Sequence, residues 1–185
     1  MQIRKYEPKD ADALRYVCLY CDGFEKYSDD TKKFILSTYC DYYIEIEPEN
    51  CFVAADENDK AIGYVMCSEN ADRFLDIFNR EYFTRISESH TSGRYYARES
   101  VVPIEKHKDE YPAHLHIDIL REYQRQGIGH RLLDALFEHL ENIGVRGIML
   151  SMSAGNEKAA AFYDKYGFTL IEKSEDTLIY GKKIK

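Results

Sequence analysis

Two groups of residues in this chain have the types and spacing to do chemistry. The first is the turn Gln124-Arg125-Gln126-Gly127-Ile128-Gly129, which leads from an alternating segment into a helical one. The first N–H groups of a helix have no partner inside it, and the helix dipole adds roughly half a positive charge there. A glycine turn at that point therefore holds anions, phosphates above all. The second group is His114-x-His116-x-Asp118, whose alternation puts two imidazoles and a carboxylate on one face of a strand. An imidazole, with an ordinary pKa near 6.5, is suited to take up a proton near neutrality beside a carboxylate.

The residues around the turn exclude the two common nucleotide-binding loops. A dinucleotide fingerprint needs a third glycine where Leu132 stands, and a P-loop needs lysine and then serine or threonine where His130-Arg131 follow. A metal reading of His114, His116 and Asp118 is weaker than a proton-transfer one, and Cys18-x-x-Cys21 has no second pair to complete a zinc site. No metal is expected.

The elements that must position these residues follow from periodicity. Gln2 to Tyr6 alternates as a first strand, and a helix opens at Pro8–Asp10, carries Ala11, Leu14, Val17, Cys18 and Cys21 on one face, and ends near Gly23. A second helix is expected from Ser28–Thr31 toward Tyr42. Residues 51–55 and 61–66 read as paired strands joined by the polar 56–60 connection. Ala71 to Arg85 has helical spacing, whereas Glu88–Arg94 reads as a loop. Ala113 to Leu120 alternates strictly, and the helix after the turn carries the stripe Ile128, Leu132, Leu133, Leu136, Phe137, Leu140 and Ile143, with Gly144 as its stop. Residues 147–152 form a buried strand. Asn156 caps a helix through Tyr163 that ends at Gly167, and residues 168–171 and 178–180 close a last hairpin. Residues 1–185 read as one domain.

With this order, Gln124 to Gly129 matches the Q/R-x-x-G-x-G/A signature of the GNAT (GCN5-related N-acetyltransferase) superfamily. Asn156-x-x-Ala159-x-x-Phe162-Tyr163-x-x-x-Gly167-Phe168 resembles that family's second motif. The likeness is specific over residues 113–170 and loose before them. It implies an α/β fold with a mixed, mostly antiparallel sheet whose fourth and fifth strands splay apart, and acetyl-CoA as co-substrate. The pyrophosphate would rest on backbone N–H groups from Gln126 through Gly127, Ile128, Gly129 and His130 to Arg131, and Gln124 and Arg125 of the same turn belong to the implied cofactor-binding set. The pantetheine arm would lie along Ile119 and Leu120, with Asn156 and Tyr163 facing the same wedge. The resemblance assigns Tyr163 as the acid that protonates the departing sulfur, and the strand amide near Ile119 to the carbonyl oxygen. His116 is the first candidate for the base and Asp118 the second, with substrate binding alone as the competing role. Residues 70–110 read as an insertion near the acceptor. The stretch Tyr111 to Asp118 also looks like acetyltransferase-like domains found beside some O-GlcNAc hydrolases. An inactive acyl-CoA-binding sensor and a plain interaction domain stand as alternatives.

Composition bounds the partners. Of the 185 residues 44% are hydrophobic and 14% aromatic, enough for a packed core. The net charge of −8, without a lysine- or arginine-rich block, argues against nucleic acid. No run approaches the roughly 18 apolar residues of a membrane span, and the N-terminus lacks a signal-peptide stretch. Five scattered cysteines read as free thiols in a reducing cytoplasm. The acceptor is an amine, on a small molecule or a peptide, and dimers are common in the family.

Overall fold

The computed structural model describes residues 1–21 and 26–184; the expected helix end near Gly23 lies outside them. Seven strands form one sheet: β1 (Gln2–Lys5), β2 (Cys51–Ala55), β3 (Ala61–Ser68), β4 (Ala113–Ile119), β5 (Gly147–Ser153), β6 (Thr169–Lys173) and β7 (Thr177–Lys183). Their order is β1-β2-β3-β4-β5-β7-β6. Every neighbouring pair is antiparallel except β4–β5, which is parallel and joins only Ala113 to Ile148 and His114 to Met149. The fold is thus the mixed, mostly antiparallel α/β sheet with splayed fourth and fifth strands.

Helix α1 (Ala11–Tyr20) and helix α6 (Ile128–Asn142) both pack on β3. Because β3 is buried at every position, both faces of the sheet are covered at its centre. The core runs from Leu14 and Val17 through Val53, Tyr64 and Val65 to Leu132, Leu133 and Leu136. Among the described residues no helix is long and apolar enough to cross a membrane.

Four expectations are corrected. The helix expected toward Tyr42 breaks at Cys40 (φ −133°, ψ −61°) into α2 (Asp29–Tyr39) and α3 (Asp41–Ile46), which turns Tyr42, Tyr43 and Ile44 into the core. The helix α4 spans only Ala71–Ile77, and the chain then loosens its pitch over Phe78–Tyr82 and tightens it over Phe83–Arg85, keeping Phe78, Tyr82 and Phe83 buried. The loop expected over 88–94 instead runs into α5 (Thr91–His107), a 17-residue helix with Pro103 inside it. Ile143 does not extend the buried stripe of α6: it is the cap residue and 44% exposed. The last long helix, α7 (Glu157–Tyr166), ends at Gly167, whose φ is 92°.

Candidate active site

The turn before α6 is built as an anion cradle. Gly127 takes a left-handed conformation (φ 76°, ψ 4°) that L-residues adopt at a cost, and a side chain there would meet nothing within 4 Å. The first helical hydrogen bond runs from Arg131 N–H to the Gly127 carbonyl at 3.3 Å. The N–H groups of Ile128, Gly129 and His130 therefore have no partner inside the helix, no side chain caps them, and no acidic residue stands in the first turn. Arg131 departs from the expected set, because its amide is spent within the helix. Gly129 has a different reason to be glycine: an added Cβ would lie 3.0 Å from Phe162 Cζ, so its bareness lets α7 close against α6. The His130 ring packs edge-on to Phe162 at 5.0 Å.

The remaining turn residues serve the strand exit. Gln124 spends its side chain on the Ile119 carbonyl at 2.9 Å, and Gln126 spends its own on the Glu122 carbonyl at 3.3 Å. Arg125 is exposed with φ 62°. Leu120 is buried, and its N–H bonds the Ile62 carbonyl at 3.0 Å, which turns its amide toward β3. That bond also fixes the phase of β4. Antiparallel partners alternate in the direction of their backbone groups, and Leu120 stands opposite Ile62 one step beyond the Gly63–Ile119 pair. Asp118 and His116 thus bond β3, while the backbone groups of Ile117 and Ile119 face β5. Beyond His114, β5 no longer pairs with β4. An unpaired strand edge lies inside the sheet.

On the face of β4 defined by its even-numbered residues, the chemistry-bearing side chains meet. The Tyr64 hydroxyl donates to Asp118 Oδ2 at 2.7 Å and lies 3.0 Å from His116 Nδ1. Since its single proton goes to the carboxylate, the network assigns the proton of His116 to Nδ1, which donates to the Tyr64 oxygen. In the neutral imidazole this leaves Nε2 as the nitrogen with the free lone pair. The imidazole is stacked between Tyr39 (5.3 Å, 19°) and Tyr64 (5.9 Å, 27°). Burial and then the Asp118 charge push the Tyr64 hydroxyl well above the ordinary tyrosine range.

His114 departs from its neighbours. It is buried between the edges of Phe74 and Tyr43, and burial followed by the His116 charge lowers its pKa to about 3. A cavity of about 650 Å³ opens beside it. Thr38 and Tyr39 of α2, His114 and His116 of β4, the end of β5 and the α5 residues Tyr96 to Ile104 line it, and no residue of the 119–131 turn does.

Tyr163 is buried on α7 among Phe162, Phe168 and Tyr180. Burial, reinforced by the Asp118 charge, raises its pKa and keeps its proton in place. Asn156 is exposed and uses its side-chain oxygen to cap α7 at Ala159 N–H, 3.1 Å. The sequence reading missed Tyr64 and Tyr39. Tyr64 is set by the β3–β4 register, which no local signal carries, and Tyr39 by the break at Cys40.

Comparison with known proteins adds the family. The model of the Acetyltransferase (GNAT) family matches residues 16–168. The chain is similar to N-alpha-acetyltransferase 30 of Schizosaccharomyces pombe, 28% identical over 127 residues, covering 69% of this chain and 62% of that protein. It is also similar to the [ribosomal protein bS18]-alanine N-acetyltransferase of Escherichia coli, 45% identical over 47 residues, 25% of this chain and 32% of the relative. The solved structure of SsHAT superposes with a TM-score of 0.85 at 26% identity, over 100% of this chain and 98% of that one. The chain spans less than two thirds of the length of these curated relatives. A glycine-capped helix start, a splayed parallel strand pair and a family model that matches most of the sequence agree: this chain belongs to the GNAT acetyltransferase family, a family of acyltransferases.

Proposed function

We propose that this protein is an N-acetyltransferase that uses acetyl-CoA and transfers its acetyl group to an acceptor amine by direct attack, both substrates being bound together. The observation that carries the reading is the unpaired edge of β4, which runs between an anion-holding helix start and a cavity with an imidazole at its rim. The residues present fit a pyrophosphate, since the N–H groups of Ile128, Gly129 and His130 have no partner inside the helix, a side chain at Gly127 would meet nothing within 4 Å, and Arg131 adds a cation. The Ile117 backbone would hold the pantetheine arm in the manner of an added strand. Bound there, acetyl-CoA supplies an activated acyl group. Helix α5, within the 70–110 insertion, covers the acceptor side.

The roles of the side chains follow from their protons. His116 takes the proton of the attacking amine on Nε2, while Tyr64 and Asp118 orient the ring through Nδ1. The Ile119 N–H serves the charge that builds on the carbonyl oxygen. Tyr163, which holds its proton, gives it to the departing sulfur. One C–N bond forms, the C–S bond breaks, and each proton has a destination. The relatives named for N-alpha and ribosomal-protein alanine acetylation support a peptide amine among the acceptors to be tried.

Calorimetric titration of acetyl-CoA into wild type and Gly127→Trp tests the cofactor half. Micromolar binding that weakens at least about tenfold in the variant is the expected result, equal to about 1.4 kcal/mol. Absence of binding to wild type would sink the reading, and binding without turnover of any amine would leave a sensor.

A further inference from the structure

The His116 ring needs more than its strand to aim it. Histidine's second side-chain torsion is broad and roughly two-fold, so a place on β4 does not set the plane of the imidazole. Tyr64 holds the ring by one atom, Nδ1, at 3.0 Å. A ring held at one atom can still pivot about that contact. Tyr39 closes the pivot: its ring lies nearly parallel to the imidazole, at 5.3 Å and 19°, within the range of an offset stack.

Tyr39 is itself fixed. It is the last residue of α2 before the break at Cys40, and the Phe34 ring meets it edge-on at 6.2 Å and 71°. Tyr39 and His116 both line the cavity of about 650 Å³, and the His116 side chain is 30% exposed. Among the described residues, the buried side-chain atoms without a partner are Thr38 Oγ1 and the two ring nitrogens of His114. His116 Nε2 is not one of them, and no described residue bonds it, so that nitrogen is open.

The stack has an electrostatic side. Burial, and then Cys18, push the Tyr39 hydroxyl above the ordinary tyrosine range, so the ring stays neutral. The face of a neutral tyrosine attracts a cation within about 6 Å of its centre. An imidazole that has taken a proton is such a cation, and the resting ring is not. The other titratable groups facing it are Asp118 at 3.5 Å and Tyr64 from the sheet, with His114 two residues away.

We propose that Tyr39 is a positioning residue for acetyl transfer: its ring clamps the plane of the His116 imidazole, and its face favours the imidazolium that forms when Nε2 takes the proton of the amine. This inference rests on the acetyltransferase reading for that proton, and on the stacking geometry for the clamp.

The test compares wild type with Tyr39→Leu, which keeps an apolar side chain but no aromatic face, and Tyr39→Phe, which keeps the face and drops the hydroxyl. With alanyl-alaninamide as acceptor, Tyr39→Leu is expected to lower kcat about tenfold and to leave the KM for acetyl-CoA within twofold. Tyr39→Phe stays within twofold of wild type in both. The His116 ring protons, assigned in NMR spectra by their loss in His116→Gln, should titrate about half a pH unit lower in Tyr39→Leu and unchanged in Tyr39→Phe. A merely structural tyrosine would lower the Tm and leave that titration in place. In wild type itself, the Tyr39 ring current should move the His116 ring protons upfield, an observation that needs no variant. Unshifted ring protons in wild type, an unchanged kcat or an unchanged or higher titration midpoint in Tyr39→Leu, or equal losses in Tyr39→Phe and Tyr39→Leu would each overturn the clamp. Failure of wild type to acetylate either alanyl-alaninamide or 1,4-diaminobutane would instead count against the acetyl-transfer reading, and the spectra would still decide the clamp.

Discussion

Two buried polar regions lie close in sequence and are treated in opposite ways. Glu47 is fully buried and accepts hydrogen bonds from Tyr42 (2.6 Å), Ser68 (2.7 Å), Asn50 (3.0 Å) and the Glu69 N–H (3.0 Å), with Arg73 paired at 2.8 Å. Nothing about that carboxylate is left to solvent or to chance. Nine residues earlier, Thr38 buries a hydroxyl with no partner, and His114 does the same with two ring nitrogens. The fold evidently can satisfy a buried charge completely. Thr38 and His114 both belong to the wall of the 650 Å³ cavity, whereas Glu47 does not, and the Glu47 knot serves as the internal control.

Breaking the satisfied side gives the largest effect. Glu47→Leu strands the Tyr42 hydroxyl and the Glu69 N–H and leaves Ser68, Asn50 and Arg73 only their longer contacts to Asn70 and Glu69, so the expected loss is about 3–5 kcal/mol, read as a fall in the denaturation midpoint at unchanged m-value. A loss below about 1 kcal/mol would show that the knot is not the anchor its geometry describes.

The unsatisfied side responds to acid. Folding lowers the His114 pKa from 6.5 to about 3, so between those values the unfolded chain binds a proton that the folded chain refuses. Its contribution is complete above about pH 6.5 and is lost as the pH falls, at up to about 1.4 kcal/mol per pH unit, or about 3 kcal/mol by pH 4. The pH–stability curve of His114→Leu should be flatter than wild type by up to one proton across that window. Parallel curves would mean that the imidazole is hydrated after all.

Tyr163 sharpens the comparison from a third position, as a buried hydroxyl whose work is proton donation. Tyr163→Phe should lower kcat about 100-fold, roughly 2.7 kcal/mol at tenfold per 1.36 kcal/mol, while Tm changes by no more than a few degrees. Equal kcat values in the two proteins would return Tyr163 to the core.

How much of this was legible follows the range of the signals. The 113–170 stretch was readable because its cues are local: a glycine turn, an amphipathic stripe, a cap at Asn156 and a stop at Gly167. Helix α5 was not, because Gly93 and Pro103 are both helix breakers by propensity. Gly93 is there for packing: an added Cβ would fall 2.2 Å from the His90 ring and 3.0 Å from Phe34. The His116–Asp118 pair was visible as alternation, but Tyr64, which assigns the imidazole proton, joins it only through the β3–β4 register. Thr38 gave no sign at all, since an orphaned hydroxyl is defined by what surrounds it.

The two-residue pairing of β4 with β5 has a further consequence. A strand with bare N–H and C=O groups is a template for any extended chain, which is why proteins usually cover or blunt their outer strands. Here the bare edge is in the middle of the sheet and flanked by the continuing β5. A flat sheet from another molecule cannot reach it, whereas a single slender chain threaded lengthwise can. The splay thus lets the protein keep a sticky backbone edge for a narrow visitor without becoming a seed for aggregation.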